Sequence, residues 1–509
     1  MTFILAITPI ALILFLMVGL RWGAARAGAA GYLIALVIAI LFFGSGAELL
    51  AYAHAKAILL SVDVLMIIWA AFFLYRVADE AGAIRTIGGS LPHLTNDRGM
   101  QALIIGWVFA TFLQGVGGFG VPVAVIAPIL VGLGFAPLAA VVIPSIGHGW
   151  AVTFGSLGSS FQALLASTGL PWQLLVGPSA LFLGIAGVFV GWMVAHAAGG
   201  FLVVRRLFWA VLVLGAVMGI TQFAVAILGF WNIGAFIAGI TGLLVGIPLA
   251  RRYKGDQQEN GALDMRLLLI ALSGYAAMVV IILAVQLIPP LRDMLGQFVI
   301  QVNFPEVRTS LGYLTEAGPG RKIPLFRHTG MVLAYAALVA YLIYRSNHLY
   351  QPGAMSRILS GTVRRVLAST VSIFSMVTMA VIMEHAGMTD VLARGIAEGF
   401  GFLFPFFAPW IGALGAFMTG SNTNSNVVFG ALQLRTAQLL GFSAAIILAG
   451  QTAGASLASV MAPTKVVVGT STAGMSGREG DVMRRLLAYT SLLVLLIGLL
   501  TVAGVWLVE

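Results

Sequence analysis

The chain has 509 residues, of which 60% are hydrophobic and 9% are charged, and it contains 62 glycines and no cysteine. Because a soluble globular protein is about one quarter charged, this composition excludes a soluble fold and predicts an integral membrane protein. The apolar segments repeat at about 20 residues, which is the length of a membrane-spanning helix and about twice that of a barrel strand. The absence of cysteine also excludes a disulfide framework and a thiolate metal site.

Twelve apolar segments in chain order are predicted to be spanning helices, at about 3–20, 27–43, 57–75, 138–162, 173–198, 207–228, 231–250, 267–288, 329–344, 366–387, 441–462 and 486–507. Residues 1–20 lack the basic region and cleavage site of a signal peptide, so they are taken as the first span. Two further segments, 100–134 and 400–438, are too long for one span and are broken by Gly, Pro or polar residues. Each is predicted to be a re-entrant hairpin that enters and leaves on one side of the membrane.

The formal net charge of +10 comes from short basic clusters between apolar segments, a pattern typical of multi-spanning proteins and not of nucleic-acid binding. Of the 27 Lys and Arg residues, 18 fall on one predicted side and seven on the other, five of them in the loop 289–328. The side with 18 cations is predicted to be cytoplasmic, which puts both termini outside the cytoplasm. Arg435 and Lys465 lie inside or beside apolar segments and belong to neither count.

An internal repeat divides the chain. Asp79–Gly82 matches Glu384–Gly387 at an offset of 305, and the same offset carries Gly115 onto Gly420. Further along the chain, Gly134-Phe135 matches Gly441-Phe442 at an offset of 307. Each unit contains a span, a loop, a broken hairpin and a span, and the charge bias predicts that the two units are inverted. We therefore expect N-terminal spans at 1–56, repeat units at 57–165 and 366–475, a central scaffold at 166–365 and a C-terminal span at 476–509. Chance matches in a glycine-rich chain are the alternative explanation.

The two hairpins are broken at Gln114–Pro122 and at Thr419–Asn426. Backbone that leaves a helix inside the bilayer strands polar groups unless protein or a wet cavity satisfies them, so such breaks are expected to line a site. Two helix N-termini that meet at mid-membrane would form a positively polarised cradle suited to a small carboxylate. For the glycine run the alternative is close helix packing.

Five segments together resemble the lactate permease family of bacterial carboxylate transporters: Gly117–Ala124, Gly132–Leu138, Thr153–Gly158, Gly420–Asn426 and Gly477–Gly480. The resemblance implies uptake of lactate or glycolate coupled to protons, and an elevator mechanism in which a transport unit slides against a scaffold. The chain departs from the family pattern at Gly147–Ala151 and at Thr464-Lys465, both near the presumed site.

Several ionisable groups are further candidates. Lys465 follows Pro463 and either pairs with a substrate carboxylate or extends to the cytoplasmic interface. His148 is either a packing residue or a contact to substrate or proton. The proton-coupling candidates are Asp63, Glu384 and His385, although helix termination in the headgroup region explains the last two more simply. The candidate substrate-binding residues are Gln114, Gly115, Gly117, Gly118, Gly120, His148, Thr153, Ser156, Ser421, Asn422, Thr423, Asn424, Asn426 and Lys465.

These features predict an all-α, elevator-type secondary transporter that takes up a small 2-hydroxy monocarboxylate, namely L-lactate, D-lactate or glycolate, by proton symport. The alternatives are a carrier of the same fold for a sulfonate or dicarboxylate, with sodium coupling, and an anion channel. The sequence matches the dinucleotide fingerprint only formally at 115–120 and contains no hydrolase or zinc-protease motif, so no enzyme activity, cofactor or metal is expected. A homodimer is compatible with this interpretation.

Overall fold

The computed structural model describes residues 2–20, 22–118, 120–253 and 265–508; Phe119, in one of the family-like segments, lies outside them. The α-helices are α1 Thr2–Leu14, α2 Ala24–Phe42, α3 Ala47–Glu80, α4 Ala83–Ser90, α5 Arg98–Leu103, α6 Ala110–Val116, α7 Val121–Gly132, α8 Pro137–Gly149, α9 Ser159–Thr168, α10 Trp172–Val225, α11 Gly234–Arg251, α12 Met265–Leu287, α13 Pro289–Leu295, α14 Thr329–Ser346, α15 Ala354–His385, α16 Met388–Phe400, α17 Phe404–Thr419, α18 Asn422–Leu440, α19 Ala444–Ala458, α20 Pro463–Thr472 and α21 Glu479–Val508. Short π-helices lie at Phe15–Gly19, Ile104–Phe109 and Ala226–Phe230, and 3₁₀-helices at Leu91–Leu94, Ser156–Gly158, Trp231–Ile233, Gly401–Leu403 and Ser459–Met461.

Within the described ranges, ten helical stretches are long and apolar enough to cross a membrane. One of them, Trp172–Arg251, is 80 residues long and contains three of the predicted spans. Its first part is broken at Gly199 and Gly200, whose backbone leaves the helical region. The chain is therefore a multi-pass membrane protein, as its composition predicted. The first predicted span corresponds to a shorter apolar helix, Thr2–Met17.

One of the predicted spans is interrupted, and the prediction of a continuous helix was wrong there. In place of 138–162 the chain forms α8, a non-helical segment, a 3₁₀ turn and α9. Left-handed backbone at Ser156 and Leu157 keeps α8 and α9 from forming one helix. The predicted span 441–462 corresponds to the helical stretch Ala444–Met461. A further short helix that was not predicted, α20, follows it and begins at Pro463.

The same order of elements occurs twice. A long helix (α3 or α15), a short helix (α4 or α16), a helical pair with a break, and an interrupted segment follow one another in 47–168 and again in 354–472. The two copies exchange partners, since α18 packs on α9 and α7 packs on α20. The long helices α3 and α15 also pack together, with Trp69 Nε1 donating to Thr370 Oγ1 at 3.0 Å. These contacts bring both breaks of each copy to the centre of the molecule.

The loop 289–328 departs from the predicted all-α fold. After α13, six short strands pair antiparallel within one long hairpin: β1 Val299–Ile300 with β6 Ile323–Pro324, β2 Asn303–Phe304 with β5 Gly318–Pro319, and β3 Val307–Arg308 with β4 Leu314–Thr315. Gly312 has positive φ at the closed end, which permits the tight turn. The β-branched residues of this segment, such as Val299, Ile300 and Val307, favour extended backbone over helix.

Candidate functional site

The two interrupted segments meet where each helix breaks. The Thr153 N–H donates to Ser456 Oγ at 3.2 Å, and Ser456 Oγ donates to the Gly149 carbonyl at 2.7 Å. Thr153 Oγ1 lies 3.2 Å from both the carbonyl and the hydroxyl oxygen of Thr452. Backbone groups that the break leaves free in one segment thus bond hydroxyls of the other segment. We call this contact the crossing of the interrupted segments, and these bonds involve no charged side chain.

The start of α18 is inserted against this crossing. The Ser421 side chain caps the helix by accepting from the Asn424 N–H at 3.3 Å. Asn422 Nδ2 donates to Thr153 Oγ1 at 2.9 Å, and Asn426 Nδ2 donates at 2.9 Å to both the Ser160 carbonyl and Thr452 Oγ1. Thr423 Oγ1 lies 3.1 Å from Ser160 Oγ, and Asn424 Nδ2 donates to Ser372 Oγ at 2.9 Å. We call the polar residues of this region the central cluster, made of Thr153, Ser160, Asn422, Thr423, Asn426, Thr452 and Ser456.

Several buried polar atoms beside the central cluster have no hydrogen-bond partner in the described part of the chain. They include the amide oxygens of Asn422, Asn424, Asn426 and Gln114, and the Nε2 atom of His148. His148 is fully buried at the end of α8, and its Nδ1 bonds the Pro144 carbonyl at 2.7 Å. Since buried polar groups are almost always paired, this concentration of free groups marks a place where a polar solute or water would bind.

Lys465 lies near the start of α20, with only 9% of its surface exposed. Its Nζ donates to Ser459 Oγ at 3.1 Å, and Ser459 in turn donates to the Ser456 carbonyl at 2.9 Å. Of the carboxylates in the described ranges, none lies within 4.0 Å of Nζ. The structure therefore places one ammonium group, without a counter-charge, two hydrogen bonds away from the central cluster.

The break of the first hairpin lies against Ser156. A Cβ atom added to Gly118 would stand 1.7 Å from Ser156 Oγ, and Gly118 itself has φ +53°. Ser156 and Leu157, at φ +47° and +55°, hold a conformation that costs about 1–3 kcal/mol per residue. Gly115 plays a different part, because its Cα faces the backbone of Phe236 on α11. Close helix packing, the alternative explanation, therefore accounts for Gly115. Gly118 instead lets the break of the hairpin contact the strained turn at Ser156 and Leu157.

Two cavities reach this region from different directions. The first, which we call the hairpin cavity, has a volume of about 420 Å³. It is lined by both neighbouring arginines of α15, Arg364 and Arg365, and by Ser372, Ser421, Asn424 and Lys465. The second, the loop cavity, has a volume of about 380 Å³ and lies beneath the 289–328 loop. Its polar lining includes Lys56, Ser167, Arg321, Lys322 and Glu384.

Asp63 is buried in a network that the sequence did not reveal. Its carboxylate accepts from Gln162 Nε2 at 2.6 Å, from Arg321 Nε at 3.0 Å and from His328 Nε2 at 2.9 Å. His328 Nδ1 accepts from the Gly330 N–H, so its proton is on Nε2. These donors come from α9, the loop and the start of α14, which are distant in sequence. Asp63 therefore ties the loop to the helix that carries Ser160.

The other coupling candidates lie near one edge of the loop cavity. Glu384 forms an ion pair with Lys56 at 3.5 Å and lines the cavity. His385 is buried, and its Nδ1 bonds the carbonyl of Val381 at 2.9 Å. Glu384 thus faces a cavity while His385 bonds its own helix, which separates two residues that the sequence offered as a pair.

The sequence did not identify Ser160, Ser372, Thr452, Ser456 or Ser459 as site residues. Each hydroxyl lies inside a helix or short turn with no local motif. Ser456 alone had a usable signal, since it lies at the same offset of 307 from Gly149 that relates Gly134 to Gly441.

Comparison with known proteins gives one family and a consistent set of relatives. The family model described as L-lactate permease matches residues 2–508. The chain is 27% identical to an L-lactate permease of Escherichia coli (strain K12) over 533 residues, covering 98% of this chain and 95% of the relative. It is 28% identical to the glycolate permease GlcA of the same strain, covering 98% and 94%. These relatives are permeases, which are transport proteins and not enzymes.

Among solved structures, the Alcanivorax borkumensis YdaH transporter is 14% identical to this chain. The match has a TM-score of 0.48 and covers 90% of this chain and 87% of the other.

Proposed function

Because the chain belongs to the L-lactate permease family, we propose that it is a secondary active transporter for a small 2-hydroxy monocarboxylate, with L-lactate, D-lactate and glycolate as candidate substrates. The names of two relatives, an L-lactate permease and a glycolate permease, support this class. Such a substrate carries one negative charge and one hydroxyl group. Its site therefore needs one cation and several neutral hydrogen-bonding partners.

The buried ammonium group of Lys465 is the observation that carries this proposal. An unpaired buried charge costs several kcal/mol of solvation, so it persists where an anion can bind beside it. Lys465 lines the hairpin cavity together with Ser421 and Asn424, whose hydroxyl and amide groups can bond a carboxylate or an α-hydroxyl group. Arg364 and Arg365 also line this cavity but are exposed, so Lys465 is its buried cation, and one buried cation suits a monoanion.

The positions of the two cavities support alternating access. On α18, Asn424 lines the hairpin cavity and Val427 lines the loop cavity. On α15, Ile373 lines the former and Val377 the latter. Three or four residues of helix span about 5–6 Å, so roughly one helical turn separates the cavities. In our proposal a transport path runs along the interface of α15 and α18. The helical turn that separates the two cavities is the barrier in this path, and one cavity closes while the other opens.

We propose proton symport, with Asp63 as the first coupling candidate and Glu384 and His385 as the others. Protonation of Asp63 would weaken its ion pair with Arg321 and free the loop from α9. Because α9 also carries Ser160, which contacts Thr423, the change would reach the central cluster. A proton bound to Asp63 would in this way change the contacts of α9 with α18 without contacting the substrate.

The moving parts in this proposal are the repeat units 57–165 and 366–475, which slide as an elevator against the scaffold 166–365. The hairpin cavity, with Arg364 and Arg365 near its mouth, would open to the cytoplasm, and both termini would lie outside. A homodimer in the bacterial inner membrane is the proposed assembly.

The test is uptake into proteoliposomes of a panel of small anions, with and without imposed proton and sodium gradients. We expect saturable uptake of a 2-hydroxy monocarboxylate that a proton gradient drives uphill. Asn422→Leu should abolish uptake while the protein still inserts, because it removes the bond to Thr153. Asn347→Leu, at the exposed end of α14, is the matched control and should transport normally.

Four results would each contradict a part of the proposal. Preference for a sulfonate or a dicarboxylate would contradict the proposed substrate class. A requirement for sodium would contradict the proposed coupling to protons. Ohmic single-channel current would show that the protein is a channel and not a carrier. Normal uptake by Asn422→Leu would remove this side chain from the site.

A further inference from the structure

The loop cavity has the features of a binding site of its own. Its volume of about 380 Å³ lies within the range of small-molecule sites, about 300–1,000 Å³. The 289–328 loop covers one side through Phe304 and Arg321, while α3 and α15 form the walls. At its floor Ser167 donates to the Asn426 carbonyl at 2.9 Å, so the cavity ends at the central cluster.

Positive charge exceeds negative charge around this cavity. Lys56, Arg321 and Lys322 line it, and Glu384 is the acidic residue among its described lining. Lys56 pairs with Glu384 at 3.5 Å, and Arg321 pairs with the buried Asp63 at 3.0 Å. Across the described part of the chain, Lys322 has no carboxylate within 4.0 Å. One cation is therefore left without a partner, which suits a monovalent anion.

Arg321 also keeps donors for a ligand. Its guanidinium group has five N–H bonds, of which Nε serves Asp63 and Nη1 bonds the Leu165 carbonyl at 3.4 Å. The ion pair with Asp63 and the bond to Leu165 fix the group at the cavity wall. Because these two bonds fix the guanidinium group, its remaining N–H bonds have a fixed geometry. A planar guanidinium group in a fixed orientation binds carboxylates well.

We propose that the loop cavity is a second, outer binding site for the transported carboxylate, in which Lys322 and Arg321 hold the anion before it reaches the barrier. This inference rests on the proposed function, because the same small monocarboxylate would occupy both cavities in turn. The site is distinct from the one at Lys465, since the two cavities lie on opposite sides of the barrier.

The experiment uses a single cysteine as a reporter in the full chain, which has no cysteine of its own. Ala431→Cys places a thiol on α18 at the cavity wall. In lipid nanodiscs, the rates of its reaction with an anionic and a cationic methanethiosulfonate reagent are compared. Lys322 lines the same cavity as Ala431, so its positive charge should speed the reaction of the anionic reagent and slow that of the cationic one. We therefore expect the anionic-to-cationic rate ratio to fall severalfold in Lys322→Gln.

A matched control comes from the same loop. Arg308 is 62% exposed, pairs with Glu306 and does not line the cavity, so Arg308→Gln should leave the rate ratio unchanged. L-Lactate should slow the modification of the cysteine at position 431, and Lys322→Gln should abolish this protection. Uptake is measured in the same preparations.

The outcomes separate this inference from the proposed function. Equal rate ratios with and without Lys322 would overturn the outer site, as would intact uptake of lactate without protection of the thiol. If the protein transports no 2-hydroxy monocarboxylate, the proposed function fails. In that case protection of the thiol by another transported small anion would still support the outer site.

Discussion

Replacing Lys465 by Met should lower substrate affinity while raising the stability of the empty protein. Met has a similar length and shape but no charge. The substitution leaves no new unpaired group, because Ser459 still donates to the Ser456 carbonyl at 2.9 Å. Affinity and stability are therefore expected to change in opposite directions, which a general folding defect would not produce.

The size of both effects follows from the surroundings of Lys465. A charge-assisted hydrogen bond to a carboxylate contributes about 1.5–3 kcal/mol, which corresponds to a Kd roughly 10- to 150-fold higher once it is lost. Burial without a counter-charge costs the empty protein several kcal/mol of solvation, and Met removes this cost. At a substrate concentration of 100 times the wild-type Kd, a 30-fold weaker Kd would reduce the stabilisation by ligand from about 2.7 to about 0.9 kcal/mol.

Thermal unfolding followed by the fluorescence of the ten tryptophans reports both quantities, and uptake in proteoliposomes gives KM. Lys465→Arg keeps the charge and should retain most of the affinity. Arg345→Met, at the exposed end of α14, serves as the control for removal of a cation. If Lys465→Met keeps the wild-type KM and the full shift of Tm with lactate, Lys465 does not bind the anion and our reasoning is wrong.

Two further predictions concern the hairpin break and the buried carboxylate. Gly118→Ala should abolish uptake, because the added Cβ would overlap a side-chain oxygen at 1.7 Å and the backbone there is left-handed; Gly132→Ala, with open space around its Cβ, should transport normally, and equal activity of the two variants would contradict this. Asp63→Asn should lower stability by roughly 2–3 kcal/mol, since it leaves the cation of Arg321 without its partner. It should also abolish proton-driven accumulation while substrate counterflow persists, and uphill uptake at the wild-type level would exclude Asp63 from coupling.

The sequence was sufficient for the membrane class and for most helices. Long apolar runs are a strong signal, because every backbone polar group in a bilayer must be satisfied within a helix. The interruption in 138–162 was missed because hydropathy does not record local backbone geometry. There, Ser156 and Leu157 adopt left-handed backbone, which neither residue type prefers. Tertiary contacts, such as Gly118 against Ser156, impose that conformation.

For the candidate site, the sequence identified the asparagines at the start of α18 but not the residues to which they bond. Asn422 and Asn426 stood out because three asparagines in five residues are costly in lipid. Their partners Thr452 and Ser160 are single hydroxyls on other helices, and only the fold brings them together. The same holds for Asp63, whose cation lies 258 residues away in the loop. Pairings of this kind have no local pattern, because loop closure over such distances leaves no trace in neighbouring residues.

The bond between Gly149 and Ser456 locates the site relative to the repeat. Their separation of 307 residues equals the offset that relates Gly134 to Gly441, so the two are equivalent positions of the two copies. In a twofold arrangement, equivalent positions touch each other only close to the symmetry axis. Under the predicted inverted repeat, the crossing of the interrupted segments would lie at this axis. Thr153 and Asn422, which bond each other at 2.9 Å, come from different copies. A substrate bound there would contact both copies at once, so it would travel with the two copies when they slide together against the scaffold.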